Sequence, residues 1–106
     1  DGVPFTKLMM DNGIIPGIKV DKGTHALAGC PGEVVTEGLD GLRERLKEYA
    51  KLGAKFAKWR AVITINEEDG LPTNTCIEAN VHALARYAAL CQECGIVPMV
   101  EPEVLM

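Results

Sequence analysis

The sequence predicts an α/β fold with parallel strands. Strand-like apolar runs recur at residues 14–20, 55–62 and 95–100, and helical apolar spacing fills the intervals between them. Strands alternating with helices imply parallel pairing through crossovers. In the first interval Leu39, Leu42, Leu46, Tyr49 and Ala50 recur at helical spacing, leaving Arg43, Glu44, Lys47, Glu48 and Lys51 for solvent, and Gly53 is a natural stop. In the second, Ile77, Val81, Leu84, Ala88 and Cys91 repeat the rhythm and Gly95 closes it. Thr75 with Glu78 has the form of a capping box, and Thr73 is an equally good cap.

With 106 residues, 47% of them hydrophobic and 25% charged, the chain is the size of one ordinary small domain. The net charge of −4 has the wrong sign for a phosphate-backbone binder, so nucleic acid is not an expected partner. Apolar runs fall short of the roughly 20 residues that cross a bilayer, and Asp1-Gly2-Val3-Pro4 has no signal pattern, so no membrane association is expected. The chain does not open with methionine, which suggests a piece of something longer. Four cysteines, Cys30, Cys76, Cys91 and Cys94, lack the density of a disulfide scaffold and fit a reducing, cytoplasmic setting. Cys91 and Cys94 form a CxxC, but at the end of a helix, whereas redox pairs use the helix N-terminus to stabilise a thiolate. His25 and His82 stand without visible metal partners and are assigned no role.

The glycines of residues 23–38 form neither GxGxxG nor a P-loop, which weakens a dinucleotide-binding reading. Barrel enzymes instead place their chemistry at the C-terminal ends of several strands. Each strand-like run here finishes with two charged residues two apart, and so on one face: Lys19 with Asp21, Lys58 with Arg60, and Glu101 with Glu103. Ile18, Val20, Ala57 and Trp59 then point the other way, toward covering helices. Any one pair alone reads as a solvated rim or a structural ion pair. Three in the same phase, summing to zero charge, favour a shared site on a barrel.

Five segments carry a family resemblance: GIKVDKG at 17–23, GLDGL at 38–42, FAKWR at 56–60, LARYA at 84–88 and VEPE at 100–103. In this order and spacing they resemble class I fructose-1,6-bisphosphate aldolases, while residues 24–35 and 66–74 fit less tightly. The resemblance implies a (β/α)8 TIM barrel of which this chain, over residues 1–106, is an incomplete segment of a single domain with about three parallel strands and their helices. It also implies a glycolytic and gluconeogenic lyase reaction: reversible cleavage of fructose 1,6-bisphosphate to dihydroxyacetone phosphate and glyceraldehyde 3-phosphate, through a lysine Schiff base, with no metal or other cofactor. The implied partners are a small phosphorylated sugar, the remainder of the aldolase chain, and further copies in a homo-oligomer, typically a tetramer.

Carried over position by position, the resemblance makes Glu101 the catalytic acid/base and Lys58 a catalytic, substrate-contacting lysine. Arg60 and Lys19 match the phosphate-binding region. Glu103 matches the carboxylate that holds the basic cluster, and Asp21 the carboxylate beside the first lysine, the two forming a supporting charge network. The family's Schiff-base lysine lies on a later strand, in a segment this chain does not contain, and neither Lys19 nor Lys58 replaces it. The early-strand aspartate of carbon–carbon cleavage and the later serine and arginine of the phosphate site are absent too. The chain by itself is therefore expected to be inactive; the alternative is a non-catalytic phosphate-binding or structural barrel segment. Since three strands cannot close an eight-stranded barrel, the chain alone is also expected to be marginally folded or aggregation-prone.

Overall fold

The computed structural model describes residues 17–106; residues 14–16 of the first expected strand, and Asp1-Gly2-Val3-Pro4, lie outside them. In chain order the elements are β1 (Gly17–Lys19), β2 (Thr24–Ala26), β3 (Val34–Thr36), α1 (Leu42–Lys51), β4 (Phe56–Thr64), α2 (Asn74–Glu93) and β5 (Val97–Leu105). The main sheet has the order β1-β4-β5 with both pairings parallel, as the alternation of strands and helices requires. Lys19 lies opposite Lys58, and Arg60 opposite Glu101. The sequence reading does not contain the antiparallel hairpin β2–β3, whose strands pair from Thr24 with Thr36 to Ala26 with Val34.

Alternation along β4 divides the sheet. Ala57 and Trp59 are buried against the helices, while Lys58 and Arg60 are exposed on the opposite face. The core gathers Val20, Leu42, Leu46, Ala57, Trp59, Ala83, Tyr87, Cys91 and Ile96. Trp59 and Tyr87 meet with ring centroids 5.0 Å apart. The Tyr87 hydroxyl lies 2.7 Å from the Ala57 carbonyl and 2.8 Å from that of Met99, and accepts the Met99 N–H at 3.1 Å, so one side chain of α2 joins β4 to β5. Burial raises the Tyr87 pKa, so the hydroxyl stays a donor across the physiological range. Gly17 faces the ring of Phe56, where a Cβ would stand 2.1 Å from a ring carbon.

The expected face of α1 is observed: Leu42 and Leu46 are buried, and Leu39, Tyr49 and Ala50 pack beside them. On α2 the buried face is rotated from the expected one. Cys76, Asn80, Ala83, Tyr87 and Cys91 point inward, whereas Ile77 and Val81 are exposed, Val81 by 56%. The polar members of the inner stripe are tolerated because they are satisfied: the Asn80 amide donates to the Cys76 carbonyl at 3.0 Å and the Val34 carbonyl at 3.2 Å. Ile77, Val81 and Leu84 form a second stripe that lines an apolar groove with Val100, Pro102 and Val104.

The cap of α2 is Thr73 rather than Thr75, which lies within the helix. The Thr73 hydroxyl accepts the Cys76 N–H at 3.1 Å and donates to Glu33 Oε1 at 2.6 Å, while Glu33 Oε2 accepts the Thr73 N–H at 3.0 Å. The Thr73 hydroxyl, above all, holds the buried Glu33 carboxyl below the usual carboxylate range. All four cysteines are free; Cys91 lies in the last turn of α2, Cys94 caps it, and burial pushes the Cys91 thiol up to about 11, as expected of an inert core thiol.

Two outcomes are expected. A carboxylate whose folded pKa is lowered contributes stability that is complete above its unfolded value near 4.5 and is lost as pH falls through the lower folded value. Glu33→Gln should therefore flatten the acid limb of the stability–pH curve below about pH 4.5, measured by urea unfolding at successive pH values. The strand β5 is an edge among the described residues and exposes Val97 by 61%, together with Met99, Val100, Val104 and Leu105. The chain expressed alone is expected to self-associate with rising concentration in sedimentation velocity; a monomeric, cooperative thermal transition would overturn this.

Candidate active site

Six charged side chains occupy the sheet face turned away from α1 and α2, or the turn that leaves it. Lys58 Nζ lies 3.6 Å from Glu101 Oε1 and 6.0 Å from the centroid of the Phe56 ring. Arg60 Nε donates to Glu103 Oε2 at 2.6 Å, and its Nη2 contacts the same oxygen. Lys19 Nζ lies 3.8 Å from Asp21 Oδ1. The structure thus brings all six expected residues together, each cation beside a carboxylate. Both β4-to-β5 pairs lean the same way, because the main-chain partner of Lys58 is Met99 and that of Arg60 is Glu101, so each cation reaches two residues onward. The pairs also lie within the strands rather than at their ends: β4 continues to Thr64 and β5 to Leu105, where further β-branched and apolar residues prolong the ladder.

Asp21 differs from the other five in being buried, its carboxylate only 2% exposed, and its role is defined by backbone geometry. On the β1 side, Lys58 C=O accepts the Val20 N–H at 3.1 Å. Two residues on, the Arg60 peptide groups point the same way, but β1 has ended. The Asp21 side chain takes the place of the missing strand: Oδ2 accepts the Arg60 N–H at 3.1 Å, and Oδ1 accepts the Gly23 N–H at 3.0 Å. From the hairpin, the Thr36 hydroxyl donates to the Arg60 carbonyl at 2.7 Å. The hairpin is drawn close by Lys22 N–H to Glu37 C=O at 2.7 Å and Glu37 N–H to Gly23 C=O at 2.9 Å. Gly38, at φ 139°, lies where a Cβ would stand 3.0 Å from Asp21 Cα. Arg45 of α1 completes the anchor, donating to the Val20 carbonyl at 2.9 Å and to the Gly38 carbonyl. Sequence reasoning missed Thr36 and Arg45 because their partners are 24 and 25 residues distant and main-chain atoms, which leave no charge or spacing signal.

The arrangement offers three cations and two half-exposed carboxylates on an open face, suited to an anionic ligand and to proton transfer through Glu101. His25 lies apart, 3.4 Å from Glu37, along a separate cleft of about 580 Å³ that His82 and Arg86 also line. Among the described residues no group of three or more His, Cys, Asp and Glu side chains could hold a metal ion, and no helix is long and apolar enough to cross a membrane.

A parallel sheet covered by helices on one face and charged on the other has the build of an α/β barrel segment. The family model "Fructose-bisphosphate aldolase class-I" matches residues 1–106. A probable class 1 fructose-bisphosphate aldolase of Xylella fastidiosa is 76% identical over 105 residues, 99% of this chain and 31% of the relative. A cytosolic fructose-bisphosphate aldolase of Arabidopsis thaliana is 58% identical over 99% of this chain and 29% of its own length. Among solved structures, the fructose-bisphosphate aldolase of Plasmodium falciparum, in a ternary co-crystal with TRAP and a small-molecule inhibitor, superimposes with a TM-score of 0.89. It is 51% identical, over 97% of this chain and 30% of that one. The chain belongs to the class I fructose-bisphosphate aldolase family, and its fold is part of that family's (β/α)8 barrel. It spans about 31% of the length of the bacterial relative.

Substitutions here separate support from surface. Asp21→Asn replaces one of two acceptor oxygens by a donor facing an N–H and should cost about 1–3 kcal/mol. Lys58→Met and Glu101→Gln, each breaking a half-exposed pair, should move stability by less than about 1 kcal/mol. Denaturant unfolding checks both in a chimera in which this chain replaces the matching segment of the Xylella fastidiosa relative.

Proposed function

We propose that this chain is an incomplete segment of a single aldolase barrel domain and supplies part of the active site that reversibly cleaves fructose 1,6-bisphosphate into dihydroxyacetone phosphate and glyceraldehyde 3-phosphate. The observation that carries the reading is the pairing of Lys58 with Glu101, and of Arg60 with Glu103, on the helix-free face of a chain that belongs to this family.

In this reading the substrate carbonyl forms a carbinolamine with a lysine that the rest of the barrel supplies. Glu101 gives a proton to the carbinolamine hydroxyl, the C–O bond breaks, water departs, and the nitrogen lone pair forms the C=N bond of the iminium. Lys58, 3.6 Å from Glu101, stabilises negative charge beside the reacting carbons and holds the carboxyl group in place. Arg60 and Lys19 bind phosphate oxygens, with Glu103 and Asp21 orienting the cations until substrate arrives. Half-exposure of Arg60 and Lys58 leaves their polar tips accessible to a ligand. The protein acts in the cytosol, as the Arabidopsis relative's name states for that protein, and assembles as a homo-oligomer, a tetramer by the family resemblance.

Borohydride trapping with dihydroxyacetone phosphate, read by intact mass, tests the reading. The chimera is expected to gain one reduced adduct and this chain alone none. An adduct on this chain alone would make Lys19, Lys58 or another of its lysines a nucleophile and overturn the assignment. In the chimera, Glu101→Gln should lower kcat about 10²- to 10⁴-fold. Turnover unchanged by that substitution would remove Glu101 from the chemistry and favour a binding role for this face.

A further inference from the structure

We infer that Thr36 is a positioning residue for substrate binding, acting through the main chain of Arg60; this rests on the reading of Arg60 as a phosphate-binding residue. The inference starts from a shortfall in the sheet. The strand β1 is three residues long and β4 nine, so beyond Val20 the β1-facing edge of β4 has no strand beside it among the described residues. Arg60 is the first residue of β4 whose N–H and C=O both face that gap. A peptide pair left there without partners would let the strand twist or admit water, and the side chain it carries would lose its fixed direction.

Two side chains fill the gap from different elements. Asp21, just past β1, takes the N–H at 3.1 Å; Thr36, the last residue of β3, gives its proton to the C=O at 2.7 Å. Thr36 is buried, 3% exposed, and its hydroxyl is engaged by the Arg60 main chain, so its influence on a bound ligand runs through that peptide. Its effect is confined to the orientation of the Arg60 peptide, and from there to the guanidinium that Glu103 holds at 2.6 Å. The hairpin thus acts as a brace whose end residue is chosen for a hydroxyl rather than for size. A valine of the same shape keeps the strand preference and the packing but removes the donor.

The test uses the chimera with Thr36→Val, Thr36→Ser and Arg60→Met, with kcat and KM for fructose 1,6-bisphosphate and the unfolding midpoint measured for each. Thr36→Val is expected to raise KM about fivefold with kcat changed less than twofold, the size of one lost hydrogen bond expressed in binding. Thr36→Ser should restore KM, and Thr36→Val should add nothing further to Arg60→Met. Thr36→Ala stands in for Thr36→Val if the valine protein does not fold. A raised KM in Arg60→Met with KM untouched in Thr36→Val overturns the inference alone. An unchanged KM in Arg60→Met overturns the reading of Arg60 and this inference with it. A fall in unfolding midpoint without any change in KM would make Thr36 purely structural.

Discussion

Trp59 can be buried against Tyr87 in only one phase of β4, and that phase decides everything on the opposite face. Successive side chains of a strand point to opposite sides, so with Ala57 and Trp59 against the helices, Lys58 and Arg60 must face away from them. The two rings are 5.0 Å apart, and both residues are almost wholly buried. Shifting β4 itself by one residue would bring Lys58 and Arg60 into the core and Trp59 into water. The hydroxyl of the same tyrosine ties in the backbone of β5, so one residue of α2 fixes both the facing of β4 and the attachment of its neighbour.

Below that constraint the molecule divides by exposure. The residues that maintain shape are buried and bonded to main chain: Asp21, Thr36, Glu33 and Asn80 each satisfy peptide groups that the sheet or a helix end leaves open. The residues suited to ligand contact are half-exposed and bonded to one another. Charge lost from an exposed pair costs little, and a buried acceptor lost from a peptide costs more. The charged face can therefore vary in chemistry with modest effect on the fold, whereas the buried polar residues cannot.

Much of this was legible in the sequence. Alternation in FAKWR and VEPE showed which side chains share a face, because a strand's period is two and leaves no choice once Trp59 is placed inside. The parallel order followed from strands alternating with helices. What was not legible involved long-range main-chain contacts or competition between stripes. Ile77, Val81 and Leu84 are the more apolar stripe of α2, yet the core takes Cys76, Asn80, Ala83 and Tyr87, whose polar atoms find partners on β3, β4 and β5. The hairpin β2–β3 was invisible because its strands are three residues each, too short to show a period. Asp21 was read as a companion charge to Lys19, and its second task, standing in for a strand, needs the spatial neighbour 39 residues on.

The shared lean of the two ion pairs has a consequence for how β5 finds its place. No residue of β5 is fully buried, so hydrophobic contact gives this strand only a weak preference among alignments with β4. Charge supplies a preference of another kind. With two cations on β4 and two carboxylates on β5 at equal spacing, only one alignment matches both; a slip of two residues matches one and strands the other, and a slip of one turns both carboxylates to the helix side. The charged face then works as a two-toothed key, reading alignment before any ligand is present.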